Sequence, residues 1–154
     1  DFLYAADFAK APLNKIFSAK KLSDSRQLTA DYLANAVLIN NGNLNFSVQA
    51  LPWEAQLSPV RDAVIVNANN DTLPDILAVG NFYDNNIQMG RYDADFGTLL
   101  INTGKNNFKT ENLNGLTIKG QVRHIKPINI NKQPSFIKKK NNDSVRIVRF
   151  TKTK

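Results

Sequence analysis

Residues 67–75 read Asn-Ala-Asn-Asn-Asp-Thr-Leu-Pro-Asp. Oxygen-bearing side chains fall at relative positions 1, 3, 5 and 9: Asn67, Asn69, Asp71 and Asp75. Alternate residues of a tight loop can converge on one point. Calcium takes about six to eight oxygens and accepts carboxamide, carboxylate, backbone carbonyl and water together. The Leu73 carbonyl offers one more oxygen. Such a loop needs a rigid frame, and the frame is legible. Residues 60–66 and 76–79 are rich in β-branched side chains, so two strands joined by a polar turn are predicted.

An internal repeat extends that frame. Leu38-Ile-Asn-Asn-Gly-Asn-Leu-Asn-Phe46 matches Leu100-Ile-Asn-Thr-Gly-Lys-Asn-Asn-Phe108, 62 residues on. The same offset pairs Val60-Arg61 with Val122-Arg123, and Asn67 and Asn69 with Asn129 and Asn131. A further match aligns residues 1–8 with residues 75–82. One unit is therefore read about two and a half times, and residue 1 falls on the last ligand position of a preceding loop. At the 62-residue offset the third loop places Asn129, Asn131, Gln133 and Ile137 at the ligand positions, without a carboxylate, so it is expected to be metal-free.

These residues carry a resemblance. The loop resembles the calcium loop of FG-GAP/VCBS repeats, of the form Asp-x-Asp/Asn-x-Asp-Gly-x-x-Asp. The Leu-Ile-Asn-x-Gly-x-x-x-Phe segments look like the outer strands of that repeat. Residues 79–86 (Val-Gly-Asn-Phe-Tyr-Asp-Asn-Asn) and their surroundings resemble secreted bacterial proteins related to cartilage acidic protein. The resemblance covers most of residues 1–8 and 35–150. It implies β-propeller blades, calcium in some of them, and an extracellular or cell-surface setting. Asn67 stands where the pattern has Asp, which lowers the charge offered to a cation, and Thr72 stands where it has Gly.

The chain has 154 residues and no cysteine, so disulfides and thiolate metal sites are excluded. No apolar run reaches the length of a membrane span, and no signal peptide is visible. Starting inside a repeat, the chain is expected to be the C-terminal piece of a longer protein; the alternative is a complete small domain. The net charge of +7 is uneven: residues 1–114 carry −3 and residues 115–154 carry +10. That asymmetry suits an anionic partner or a solvated face.

The expected fold is all-β: two to three four-stranded antiparallel blades of a β-propeller, in one domain over 1–154. Residues 1–51 would be a partial blade, 52–114 a complete blade with the calcium-type loop, and 115–150 a degenerate final blade. Strands are expected at 1–8, 35–40, 46–51, 60–66, 75–82, 97–102, 107–113, 121–128, 135–140 and 144–150. A helical insertion is expected over 12–33: Pro12 opens one helix, and residues 28–33 form a second. Asn41-Gly42 signals a hairpin turn. Trp53, with Leu51 and Leu57, is expected to pack between blades.

Other candidate chemistry is sparser. Asp84, Asp93 and Asp95, with Tyr83, Tyr92 and Arg91, form an acidic loop that reads as a solvated hairpin loop or a rim site. Nothing marks Asp93 or Asp95 as buried with a raised pKa, as a glycosidic acid would be. His124, the only histidine, aligns with Asp62 and is given a structural role. Lys138-Lys-Lys140, with Arg146, Arg149, Lys152 and Lys154, is the candidate anion patch, read as a solvated edge. Phe136 and Phe150 are the only aromatics near it that could stack on bases.

The expected function is a non-enzymatic, calcium-stabilised extracellular binding or adhesion scaffold, with a protein or glycan partner. Preceding blades or self-association would cover its open faces. Two alternatives stand beside it. One is part of a polysaccharide-acting enzyme or carbohydrate-binding propeller. The other is an anion- or nucleic-acid-binding module on the basic region.

Overall fold

The computed structural model describes residues 2–113 and 115–149. The chain divides into two compact units, residues 1–33 and residues 34–154. Phe150, Lys152 and Lys154, of the aromatic and cationic candidates, lie outside the described residues.

The first unit holds three short helices: α1 (Ala5–Lys10), α2 (Leu13–Ile16) and α3 (Ala19–Ser23). The strand expected over residues 1–8 is not formed; α1 occupies its second half. Three alanines in six residues favour helix, and apolar content alone does not make a strand. The helix expected at 28–33 is also absent. That stretch has no regular structure and is exposed, and a lone turn of helix repays its nucleation only through packing. Pro12 does stand immediately before α2, and the Ser18 hydroxyl caps α3 by accepting from the Lys21 N–H.

The second unit is all-β. Three antiparallel sheets follow in chain order. The first pairs β1 (Ala36–Asn40) with β2 (Phe46–Ala50). The second is a four-stranded meander of β3 (Val60–Val66), β4 (Asp75–Gly80), β5 (Thr98–Asn102) and β6 (Phe108–Glu111). The third orders β7 (Val122–Ile130), β8 (Gln133–Lys140) and β9 (Arg146–Val148).

The core lies between the second and third sheets. Val64, Val66, Leu77, Val79, Leu99 and Ile101 alternate along β3, β4 and β5 and so share one face. They meet Ile118, Val122, Ile125 and Phe136. Fully burying a side chain such as Leu77 contributes about 2–3 kcal/mol, so this layer dominates the stability of the unit.

The repeat holds at the level of the backbone. In the β1–β2 turn the Asn41 N–H donates to the Asn45 carbonyl, and the Asn45 N–H to that of Gly42. Thr103, Asn107 and Gly104 make the same two bonds between β5 and β6. Positive φ runs through Gly42, Asn43 and Leu44, and again through Gly104, Lys105 and Asn106. Asn41-Gly42 therefore opens a five-residue turn rather than filling a two-residue one. β3 and β7 share a further detail: each carries a bulge at its start, between Val60 and Asp62 and between Val122 and His124. Bulges re-aim side chains, and here they set Asp62 and His124 beside each other.

Trp53 does not pack as expected. It sits in a turn of 3-10 helix (Trp53–Gln56) with 68% of its surface exposed. Neighbouring Ala55 is buried in its place, and its carbonyl accepts the Asn35 carboxamide.

Candidate metal loop and its surroundings

Residues 67–74 join β3 to β4, as the flanking strands required. Asp71 is the hub of the loop. Its Oδ2 accepts the Asn69 carboxamide at 2.6 Å, and its Oδ1 accepts the Leu73 N–H at 2.7 Å. Its own N–H donates to Asn69 Oδ1 at 3.1 Å, and its carbonyl accepts from Asn67 Nδ2 at 2.7 Å. Asn70 takes the left-handed backbone that lets the chain reverse. Asn67, Asn69, Asp71 and Leu73 are thereby brought together.

Asp75 is placed differently. It is fully buried at the start of β4. Oδ2 accepts the Ala68 N–H and Oδ1 the Asn102 N–H, both at 2.9 Å. It closes the base of the loop and ties it to β5. The donor set fits a hard cation in kind: two carboxylates, two carboxamides and a carbonyl. Both Asp75 oxygens already hold N–H donors, and each retains a lone pair. Among the described residues, no three His, Cys, Asp or Glu side chains group closely enough to hold a metal, so a cation here depends on the asparagines.

The third repeat replaces this loop. β7 runs two residues beyond the equivalent of Val66 and turns through Asn131-Lys132, both at positive φ, into Gln133. By register Ser135 faces Ile128 as Asp75 faces Val66. The position equivalent to Asp75 is thus Ser135, not Ile137. Its buried hydroxyl accepts from Arg149 Nε at 3.0 Å.

Between the 67–75 loop and the β7–β8 turn lies an open groove of about 650 Å³. Leu73, Pro74, Pro127, Ile128, Pro134 and Phe136 supply its apolar walls, with Asn67 and Asn129 at its rim.

The acidic loop is engaged both within itself and with the start of β7. Asp84 accepts from Arg123 at 2.9 Å and from Gln121 at 3.2 Å, and Arg91 lies over the Tyr83 ring. The backbone groups of Phe82 and Tyr92 bond reciprocally and close the loop. Asp95 departs from expectation. Burial raises its pKa above the ordinary carboxylate value, against the lowering effect of N–H groups from Gly80 and Gly97 and of the Thr98 hydroxyl. Its backbone brackets the buried Asn81 carboxamide, which also accepts from Ser58 and donates to the Gly120 carbonyl. The three donors on the Asp95 carboxylate, from Gly80, Gly97 and Thr98, all belong to the fold and hold it in place. The sequence signal was Gly80-Asn81, where positive φ at Asn81 and the tight approach of Gly80 to Pro59 place that network.

Asp62 links the second and third sheets. Its Oδ2 accepts the Ile125 N–H at 3.0 Å and stands 3.4 Å from Lys126 Nζ and 3.6 Å from His124 Nδ1. Burial pushes this carboxyl up, but the N–H donors of Ile125 and Ala63 and the Lys126 ammonium outweigh it, leaving the pKa below the ordinary value. His124 is therefore a flank of a sheet-to-sheet bridge.

The basic patch is a solvated edge only in part: Lys139, Arg146 and Arg149 are exposed, but two of its lysines are not. Lys138 and Lys140 alternate with Phe136 on the inner face of β8 and are buried at 3% and 6% exposure. Burial lowers the Lys138 pKa, and the charges of Lys140 and Arg146 add to that. Lys140 is paired with Asp143, whose carboxyl it holds down at about 2. Phe136 is in the core and is no platform for a base.

No protein family, curated protein or solved structure matches the chain.

Proposed function

We propose that the chain is part of a non-enzymatic, calcium-stabilised extracellular binding scaffold of the FG-GAP/VCBS propeller kind. The observation that carries this reading is the position of the oxygen-rich loop. It joins the first two strands of a four-stranded meander whose outer hairpin recurs 62 residues earlier with the same turn. In this reading a calcium ion takes Asn67, Asn69, Asp71, the Leu73 carbonyl and Asp75. It offsets the loop charge and fixes one wall of the groove between the loop and the β7–β8 turn, where a partner protein or glycan would rest. The two alternatives draw less support. Asp95 is committed to backbone donors, and two of the three lysines of the patch face inward.

Titration calorimetry of the full chain with calcium, set against Asp71→Ala, tests this. Binding of the parent, lost in the variant, is expected. No calcium heat in the parent, or equal binding by the variant, overturns it.

A further inference from the structure

We propose that the outer edge of β1 is a strand-docking site for an extended peptide of β4-like chemistry: an aspartate followed by an apolar, mostly branched run.

The argument starts from β5, the repeat equivalent of β1. In the second sheet β5 has β6 on one side and β4 on the other. Ile76 of β4 lies beside Leu100, and the Asp75 carboxylate takes the Asn102 N–H. In the first sheet β2 fills the place of β6, and it is the only strand paired with β1 among the described residues. Backbone bonding then fixes which amides of β1 point outward. The Asn41 N–H donates to Asn45 across the turn, so the alternation of an antiparallel pair turns the Asn40 and Leu38 amides away from β2. The Asn102 amide points to Asp75 for the same reason.

Exposure marks the vacant position. Leu100 is 0% exposed, whereas Leu38 is 68% exposed. On the same face as Leu38, its partner Val48 and nearby Phe46 are exposed as well. An incoming strand that opens with aspartate would give the Asn40 N–H its carboxylate. It would set its second residue beside Leu38, as Ile76 stands beside Leu100. Main-chain bonds supply affinity in such edge addition, and alternate side chains supply selectivity. Nothing in β1 guards against it: the strand is Ala-Val-Leu-Ile-Asn, without the lysine, proline or bulge that protects exposed edges.

The test uses the full chain and a synthetic peptide of the β4 sequence, Asp-Ile-Leu-Ala-Val-Gly-Asn-Phe, with a solubilising lysine tail. Residue-resolved hydrogen exchange reads Leu38, Ile39 and Asn40. Exchange at Leu38 and Asn40 should slow at least tenfold with peptide, while Ile39, already bonded to β2, changes little. A peptide with alanine for its aspartate should bind about tenfold more weakly, equivalent to about 1.4 kcal/mol. Three outcomes overturn the proposal: no peptide-dependent protection at millimolar peptide; protection already present in dilute chain without peptide; or protection that rises with protein concentration alone, which would assign the edge to a second copy. None of the three bears on calcium binding by the loop.

Discussion

The Asp75 carboxylate accepts the backbone N–H of Asn102 at 2.9 Å, where β5 has run past its last pair with β4 and stands opposite Pro74. Proline offers the sheet no donor, and the Asn102 carboxamide donates to its carbonyl at 3.3 Å. A side chain thus finishes a ladder that the backbone leaves incomplete.

Removing that carboxylate strands two N–H groups, those of Ala68 and Asn102. Asp75→Ala should cost about 3 kcal/mol in urea denaturation with calcium chelated, since bonds to charged groups contribute about 1.5–3 kcal/mol each and their loss inside is only partly relieved by water. Asp71→Ala, on the exposed part of the loop, should cost under about 1 kcal/mol under the same conditions. Equal costs would show that the two aspartates do not divide frame and loop as described.

Asp62→Ala should loosen the second sheet from the third. The expected cost is about 1.5–3 kcal/mol, from the lost bond to the Ile125 N–H. The amide of Ile125 should then exchange faster, while the pairs within β3 and β4 keep their protection.

Gly80→Ala should be far worse than Gly104→Ala. An added Cβ at Gly80 would stand 1.8 Å from the Pro59 carbonyl oxygen, a backbone atom that cannot yield without moving β3. Gly104 has open space, so alanine there meets only the strain of its positive φ, about 1 kcal/mol. Thermal unfolding of the two variants would rank them.

Two acidic groups should bend the pH–stability curve in opposite senses. Lys140 holds the Asp143 carboxyl at about 2, below its ordinary 3.8. Its stabilising share is complete above 3.8 and is lost as pH falls towards 2. Asp143→Asn should therefore trail the parent at pH 6 and converge on it near pH 2. The Asp95 pKa is raised by burial, so its favourable share is complete below 3.8 and is lost as pH rises through the folded value. The parent should gain on Asp95→Asn as pH falls towards 3.8. Urea midpoints measured from pH 2 to 7 would separate the two slopes.

Strand positions were largely legible because they rest on local chemistry. The run over Val60–Val66 is bounded by Pro59 and Asn67, and the strand begins and ends there. The two Leu-Ile-Asn-x-Gly segments share a turn because Gly42 and Gly104 admit the positive φ it needs. What stayed hidden depends on long-range placement. Asp95 looks like any loop aspartate until Gly80 and Gly97 are set against it. Lys138 looks solvated until the register of β8 turns it inward beside Ile125. Residues 2–8 match β4 in sequence, yet the alanines of α1 favour helix there. The 67–75 loop was legible as a polar turn between two strands, but not in the division of labour between Asp71 and Asp75.

The tight turn at Asn131-Lys132 has a bearing on how the chain folds in time. Among the described residues β7 and β8 form the longest hairpin, closed by two residues and paired from Ile130↔Gln133 back to Val122↔Lys140. Such sequence-near pairing carries little loop-closure entropy, and hairpins of this kind form in microseconds. The meander must instead wait for β4 to find β5 across residues 81–97. The β7–β8 hairpin is thus the natural first surface on which β3 and β4 condense. A substitution that straightens its turn should slow refolding while leaving the unfolding rate nearly unchanged.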